Sequence, residues 1–217
     1  AGMDNPDAVF CTSVMESLKQ CLGEDNYYYL NLLTVLAPVA VYHYPMGAER
    51  ILDSLDALID RRYAAEPLKR AFLMNAVYVS LKDRLPERAQ ARMEQSYALY
   101  RAHHDSSILS VALGRSIVWD CQGNTSNYRM ALEAQGYVCS DVARRYGPTS
   151  EIAFAEELTK IVLTGWVDYR RPDELYPALL ARMKAAGADC SGVENSYAEY
   201  EYNMGNYDKA VGLLKKL

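Results

Sequence analysis

Apolar residues recur three and four positions apart along almost the whole chain, and the strict alternation of a half-buried strand is nearly missing; this periodicity makes an all-α fold the reading. The N-terminal pattern is the clearest. Asp7 is placed to cap a helix that carries Val9, Phe10, Val14, Leu18 and Cys21 or Leu22 and stops at Gly23. Further helices are expected at about 25–37, 46–63, 66–84, 86–104, 106–121, 126–146, 150–166, 173–187, 192–204 and 207–217. The breakers between them are Pro45-Met46-Gly47, Glu66-Pro67, Leu85-Pro86, Gly123-Asn124-Thr125-Ser126, Gly147-Pro148-Thr149-Ser150, Arg171-Pro172-Asp173, Gly187 and Gly205-Asn206. Pro67, Pro86 and Pro172 read as helix starts, because a first-turn N–H has no intrahelical partner to lose, and Thr149 or Ser150 reads as an N-cap. Turns this short imply antiparallel neighbours.

Composition narrows the function classes. The 217 residues carry 23 Lys and Arg against 28 Asp and Glu, a formal charge of −5, with 50% apolar and 24% charged residues. That balance fits neither a disordered nor a fibrous chain, and it lacks the basic excess of a general nucleic-acid binder. Eighteen Tyr against 3 Phe favour rings that are apolar along their faces and polar at the tip. Five cysteines, at 11, 21, 121, 139 and 190, are an odd number without CxxC spacing and read as free thiols in a reducing compartment. The expected location is cytoplasmic, or exported if a leader has been removed. Ala1-Gly2 precede Met3, and the helical pattern runs into Leu217 without a capping Gly, so the chain is expected to be a piece of a longer protein.

Asn26 to Ala48 contains no Asp, Glu, Lys or Arg. Its apolar heart, Leu30 to Val41, is broken by Asn31, Thr34 and Pro38, and covers about 18 Å at ~1.5 Å per residue against the ~30 Å of a hydrocarbon core. The expectation is a buried helix ending at Pro38, not a membrane span.

Catalytic constellations are scarce. The three His, at 43, 103 and 104, form no HExxH and lie near no Cys at ligand spacing, so no metal is expected. His103-His104-Asp105 falls at a helix end, where His suits the negative end of the dipole. No GxGxxG, GxxxxGK or GxSxG run exists. Glu156 and Glu157 are adjacent and point about 100° apart on a helix, which suits a solvated face better than a shared acid and base. Asn124-Thr125-Ser126 reads as a turn, and Cys11 and Cys21 read as core residues on one apolar helix side. No enzyme activity and no cofactor are expected.

Charge is unevenly spread. Arg61 to Arg92 holds eight basic against three acidic residues, whereas Ala188 to Asp208 holds five acidic and no basic ones. The two runs read as solvated helix faces, or as ends that steer oppositely charged partner segments.

The last helical pair carries a repeat signature: Tyr197-Ala198, then Gly205-Asn206-Tyr207-Asp208-Lys209-Ala210, then Leu213-Leu214. Small residues at Ala198 and Ala210 allow close helix approach, and Gly205 supplies a tight turn. Over 192–217 the sequence resembles a tetratricopeptide repeat. Ala48, Ala89, Ala131 and Leu175 stand at the position of Ala210 in four looser hairpins, at intervals of 41, 42, 44 and 35 residues. The resemblance implies a single superhelical domain over 1–217, built from about five antiparallel hairpins behind an N-terminal capping helix, and a non-enzymatic module holding a protein or peptide segment in its groove. Groove positions carried over unit by unit are Met74, Tyr78 and Lys82; Ser116, Asp120 and Asn124; Lys160, Thr164 and Asp168; and Asn195, Glu199, Tyr202 and Asn203. Of these, Tyr78, Lys82, Asp120, Lys160, Thr164, Glu199, Tyr202 and Asn203 are the expected partner contacts. Leu30, Leu33 and Ala37 imply a first hairpin whose groove face is covered. Direct nucleic-acid binding and membrane contact are not expected. The alternative is the sensory input region of a larger bacterial regulator, a transcription factor or kinase bearing such repeats.

Overall fold

The computed structural model describes residues 13, 16–23, 26–43, 45–123 and 127–215. Among these every regular element is a helix. They are α1 (16–22), α2 (Tyr27–His43), α3 (Pro45–Arg62), α4 (Pro67–Tyr78), α5 (Pro86–His103), α6 (Ile108–Gly123), α7 (Tyr128–Tyr146), α8 (Glu151–Val167), α9 (Pro172–Ala185), α10 (Ser191–Asn203) and α11 (Tyr207–Leu214). Consecutive helices pack in pairs, α2 on α3, α4 on α5, α6 on α7, α8 on α9 and α10 on α11, with α7 also lying along α8. The chain divides into two compact units, Ala1–His104 and Asp105–Leu217. No helix among the described residues is long and apolar enough to cross a membrane.

In the first unit, Leu30, Leu33 and Ala37 of α2 are buried with Leu52, Leu55 and Ile59 of α3 and Met74, Val77 and Tyr78 of α4, and Leu18 of α1 packs against that cluster. Leu30, Leu33 and Ala37 are therefore core residues of this unit. The helix differs from expectation at its end, since α2 continues through Pro38 to His43. A proline in mid-helix costs one hydrogen bond and a clash with the previous turn, about 3 kcal/mol, and burial of Ala37 and Val41 in the same stretch works against that cost. Similarly, α3 begins at Pro45 itself, so Pro45-Met46-Gly47 is a first turn and not a gap.

A polar network braces this unit. Tyr78 Oη donates to Asp56 Oδ2 at 2.7 Å, Arg88 Nη2 reaches the same oxygen at 2.7 Å and Asp53 at 2.8 Å, and Arg92 Nη2 lies 3.0 Å from Asp56. Arg70 Nε donates to Asp60 at 2.9 Å. Much of the basic run at Arg61 to Arg92 is thus neutralised by acids of α3, whose positions lie just outside that run.

In the second unit, Ser150 caps α8 by accepting from Ala153 N at 3.3 Å, and Asn127 caps α7 by accepting from Met130 N at 3.2 Å. Glu156 overturns its expected solvated placement. It is buried, and its carboxylate accepts from Arg115 Nε at 2.7 Å and Gln135 Nε2 at 2.7 Å, so it ties α8 to α6 and α7. Glu157 points elsewhere, to Arg182 of α9 at 2.5 Å, as 100° of helical rotation requires. Cys21 is exposed and so is not a core residue, while Cys11 and the turn at 124–126 lie outside the described residues.

Candidate functional site

The second unit presents an open depression of about 330 Å³ between α8, the start of α9 and α10. Its floor follows from packing. Phe154 and Ile161 of α8 bury against Tyr176, Leu179 and Met183 of α9 and Val193 and Tyr197 of α10. The Tyr176 ring stacks on Tyr197 with centroids 4.9 Å apart and planes at 17°, and its hydroxyl shares a 2.8 Å hydrogen bond with Ser196 Oγ. Gly165 lets the α8 end approach α9 closely, since a Cβ there would stand 3.2 Å from Pro172 Cγ.

The walls are held from α11 and from the α8–α9 turn. Tyr197 Oη donates to Asp173 at 3.0 Å, and Lys209 Nζ sits 2.7 Å from Asp173, 2.6 Å from Glu201 and 5.0 Å from the Tyr197 ring centroid. Asn206 Nδ2 donates to the other oxygen of Glu201 at 2.7 Å. Tyr200 Oη donates to the Tyr169 carbonyl at 2.7 Å. Gly205 makes the tight turn: its φ is +82°, and Asn206 N reaches back to Glu201 O at 2.9 Å, closing the six-to-one bond of a helix C-terminus.

These contacts set the protonation states. Burial pushes the Tyr197 hydroxyl up to about 12, and burial likewise raises Tyr176 and Tyr200. Burial alone would lower the Lys209 pKa, but its hydrogen bonds to Asp173 and Glu201 override this and leave it above the usual lysine range. The hydrogen bond from Lys209 holds Asp173 below the usual carboxylate range. Near neutral pH the three phenols therefore stay neutral, and what they offer a ligand is ring face and hydrogen bonding.

Four aromatic side chains line the depression: Trp166, Tyr169, Tyr176 and Tyr200. Trp166 and Tyr169 remain 53% and 54% exposed, which for rings of this size is a large uncovered apolar area. On the other side of α10 a second open depression, about 510 Å³, is lined by Asn195, Glu199, Tyr202, Tyr207 and Ala210. Tyr202 and Tyr207 meet edge to face across it, with centroids 5.3 Å apart.

The structure sorts the expected contacts. Glu199, Tyr202 and Asn203 are all exposed on α10; Glu199 and Asn203 line the first depression, and Glu199 and Tyr202 the second. Lys160 and Thr164 line a separate depression against Gly136 and Cys139 of α7 and Leu175 and Arg182 of α9, and the Thr164 hydroxyl is turned back onto the Lys160 carbonyl at 2.8 Å. Along α8 the first depression is lined by Ile161, Val162, Gly165 and Trp166; Val162 and Trp166 stand two positions past Lys160 and Thr164, on roughly the opposite side of the helix, and Ile161 lines both depressions.

Three expected contacts are buried, Thr164 among them at 5% exposed. Tyr78 is 0% exposed and its hydroxyl is engaged by Asp56 and Arg88, and Asp120 is 2% exposed, so neither is offered to a partner. Lys82 lies on the turns at 79–85 that follow α4, because that helix ends at Tyr78 instead of running on to 84. Asn124 lies outside the described residues. Trp166 and Tyr169 were not among the expected contacts. The aromatic pair at the expected helix end, Trp166 and Tyr169 just before Arg171-Pro172, is the signal in the sequence that could have found them.

Among the described residues no group of three or more His, Cys, Asp and Glu is placed to hold a metal ion. Burial pushes the Cys139 thiol up to about 11, away from thiolate chemistry near neutral pH. Comparison with protein families finds no family model that matches the chain, and no curated protein matches it either.

Proposed function

We propose that this chain is a non-enzymatic protein-interaction module of tetratricopeptide-like hairpins, and that it holds an extended partner segment against α8, α10 and α11 of its second unit. The observation that carries the reading is the exposure of Trp166, Tyr169, Tyr202 and Tyr207 around two adjoining depressions that share Glu199. Scattered single apolar residues on a surface need no account, but large aromatics gathered around concave ground are what a binding surface requires. Their neighbours are pinned by the Tyr176–Ser196, Tyr200–Tyr169 and Lys209–Asp173 contacts, so a partner meets a surface already ordered and loses little entropy to arranging it. The repeat signature at 192–217 supports the same reading, because it falls on α10 and α11.

The test is a crosslinking pull-down from the source organism's lysate, comparing the wild-type chain with W166A/Y202A and with the surface control W119A. A partner recovered by the wild type and by W119A but lost from the double variant supports the module. Recovery that is equal in all three, with circular dichroism confirming that all are folded, removes this surface from the account.

A further inference from the structure

The first depression has a lining of unusual chemical simplicity. Four of its twelve residues are aromatic, one is charged, and that one is Glu199. No lysine, arginine or histidine is among them. Of the hydroxyls here, Tyr200 donates to the Tyr169 carbonyl, Tyr176 and Ser196 share one hydrogen bond, and Tyr169 accepts from Arg170 Nε at 2.9 Å, which leaves the Tyr169 O–H to donate to a ligand. Beyond these hydroxyls the lining offers ring face, the Asn203 amide and one carboxylate, that of Glu199.

We propose, building on the binding-module reading, that this depression anchors an arginine side chain of the partner segment, its guanidinium against the aromatic faces and within the field of Glu199. Ring faces carry the negative end of the aromatic quadrupole and draw cations. A purely apolar side chain would desolvate Glu199 with nothing in return, and an acidic one would be repelled by it. Arginine fits better than lysine, because its guanidinium is planar, stacks on rings and gives up water more readily than an ammonium. The protein shows the pairing at its own rim, where the Arg170 guanidinium stands 5.2 Å from the Tyr169 ring centroid. That interaction turns the Arg170 charge onto the outer ring and leaves Trp166, Tyr200 and Glu199 for the incoming cation. The surroundings agree in sign. Ala188 to Asp208 carries five acidic residues and no basic one, and although Lys184 takes up Glu194 and Lys209 takes up Glu201, no cation within that run opposes a basic segment.

A displayed library of random decapeptides, panned on the whole chain and on Glu199→Gln, tests this. Affinities of recovered peptides are read from Trp166 fluorescence in the Trp119→Phe background, which removes the only other tryptophan. The expected result is a shared arginine in peptides recovered by the wild type, with about tenfold weaker binding when it is replaced by norleucine or when Glu199 becomes Gln. Replacement by lysine is expected to weaken binding by a smaller factor. Peptides that lack a basic residue yet lose binding in Trp166→Ala would overturn the arginine anchor and leave the binding module standing. Peptides that bind equally well with lysine would overturn the choice of guanidinium. If no peptide is retained, the anchor and the module reading fall together. Glu199 is exposed and forms no part of the packed floor, so loss of binding in Glu199→Gln cannot be blamed on unfolding.

Discussion

Replacing Glu156 with Ala should lower the stability of the second unit by about 2–4 kcal/mol. The figure comes from its partners. Gln135 is buried and donates to the Glu156 carboxylate at 2.7 Å; a hydrogen bond to a charged acceptor contributes about 1.5–3 kcal/mol. Arg115 donates to the same carboxylate, but its side chain is 52% exposed, so its ion pair is screened and adds at most about 1 kcal/mol. Gln135 keeps one acceptor after the substitution, the Glu156 carbonyl at 3.0 Å, which holds the loss below that of a fully orphaned amide. Glu156→Gln preserves shape and one acceptor, and it should cost roughly half as much, since its amide nitrogen must face a donor. Urea unfolding gives the total, and hydrogen exchange read by mass spectrometry gives its place. A chain of two compact units need not unfold in one step, so the local measurement decides. Faster exchange is expected in α6, α7 and α8. The reasoning is refuted if Glu156→Ala costs under about 1 kcal/mol, or if the faster exchange falls within residues 16–104 instead.

Other outcomes follow from the same contacts. Ala210, 3% exposed where α11 meets α10, should tolerate no charge: Ala210→Glu is expected to cost about 2–4 kcal/mol, and unchanged exchange in α10 and α11 would refute that pairing. Gly205→Ala should cost about 1–2 kcal/mol from its φ of +82° alone, as a Cβ there meets nothing within 4 Å, and Gly205→Asn should recover part of it; equal melting temperatures for Gly205→Ala and wild type would refute the turn assignment. Burial raises Tyr78 and Tyr197 to about 12, above their unfolded value near ~10, so the stability each contributes is whole below pH ~10 and falls as pH rises toward 12. Urea midpoints measured across that range should drop, and Tyr78→Phe should flatten the drop; a midpoint that stays level in the wild type would contradict both assignments.

Several helix starts were legible because their signals are local, whereas the ends of α2 and α4 were not. Pro67, Pro86 and Pro172 each open a helix, and Ser150 caps one, as residue type and position dictate. The exposure of the expected contacts was legible where the repeat signature is best matched. On α10, anchored by Gly205 and Ala210, Glu199, Tyr202 and Asn203 fall on open surface. In the α8–α9 pair, where Leu175 of α9 stands in place of the small residue of the signature, the transferred register selected Lys160 and Thr164, which line the depression against α7 and α9, and not Trp166. On α4 it selected Tyr78, because an amphipathic helix with Met74, Val77 and Tyr78 on one side does not declare which neighbour that side meets. Glu156 was illegible for a related reason: a carboxylate is placed on the outside by its charge alone, and only the arrival of Gln135 and Arg115 from other helices reverses that.

The residues that give the candidate site its shape are mostly not the ones that would touch a partner. Trp166, Glu199 and Tyr202 are exposed, and a change in any of them leaves the packed floor alone. The positions of α9 and α10 depend on Tyr176, Tyr197, Asp173 and Lys209: the first three join α9 directly to α10, and Lys209 reaches Asp173 from α11, past the intervening helix. Lys209 on α11 reaches Asp173 at the start of α9 and Glu201 on α10, so one side chain fixes three helices around the aromatic wall. Loss of Lys209 would therefore leave the buried Glu201 carboxylate to the Asn206 amide, and would free the Tyr197 ring from its cation. Lys209→Met, which keeps the stem and removes the charge, should loosen α10 against α9 and weaken any ligand of the first depression, although Lys209 lies outside its lining. Unaltered ligand affinity in Lys209→Met, together with unaltered exchange in α10, would separate the network from the site and reduce it to a local brace of the last hairpin.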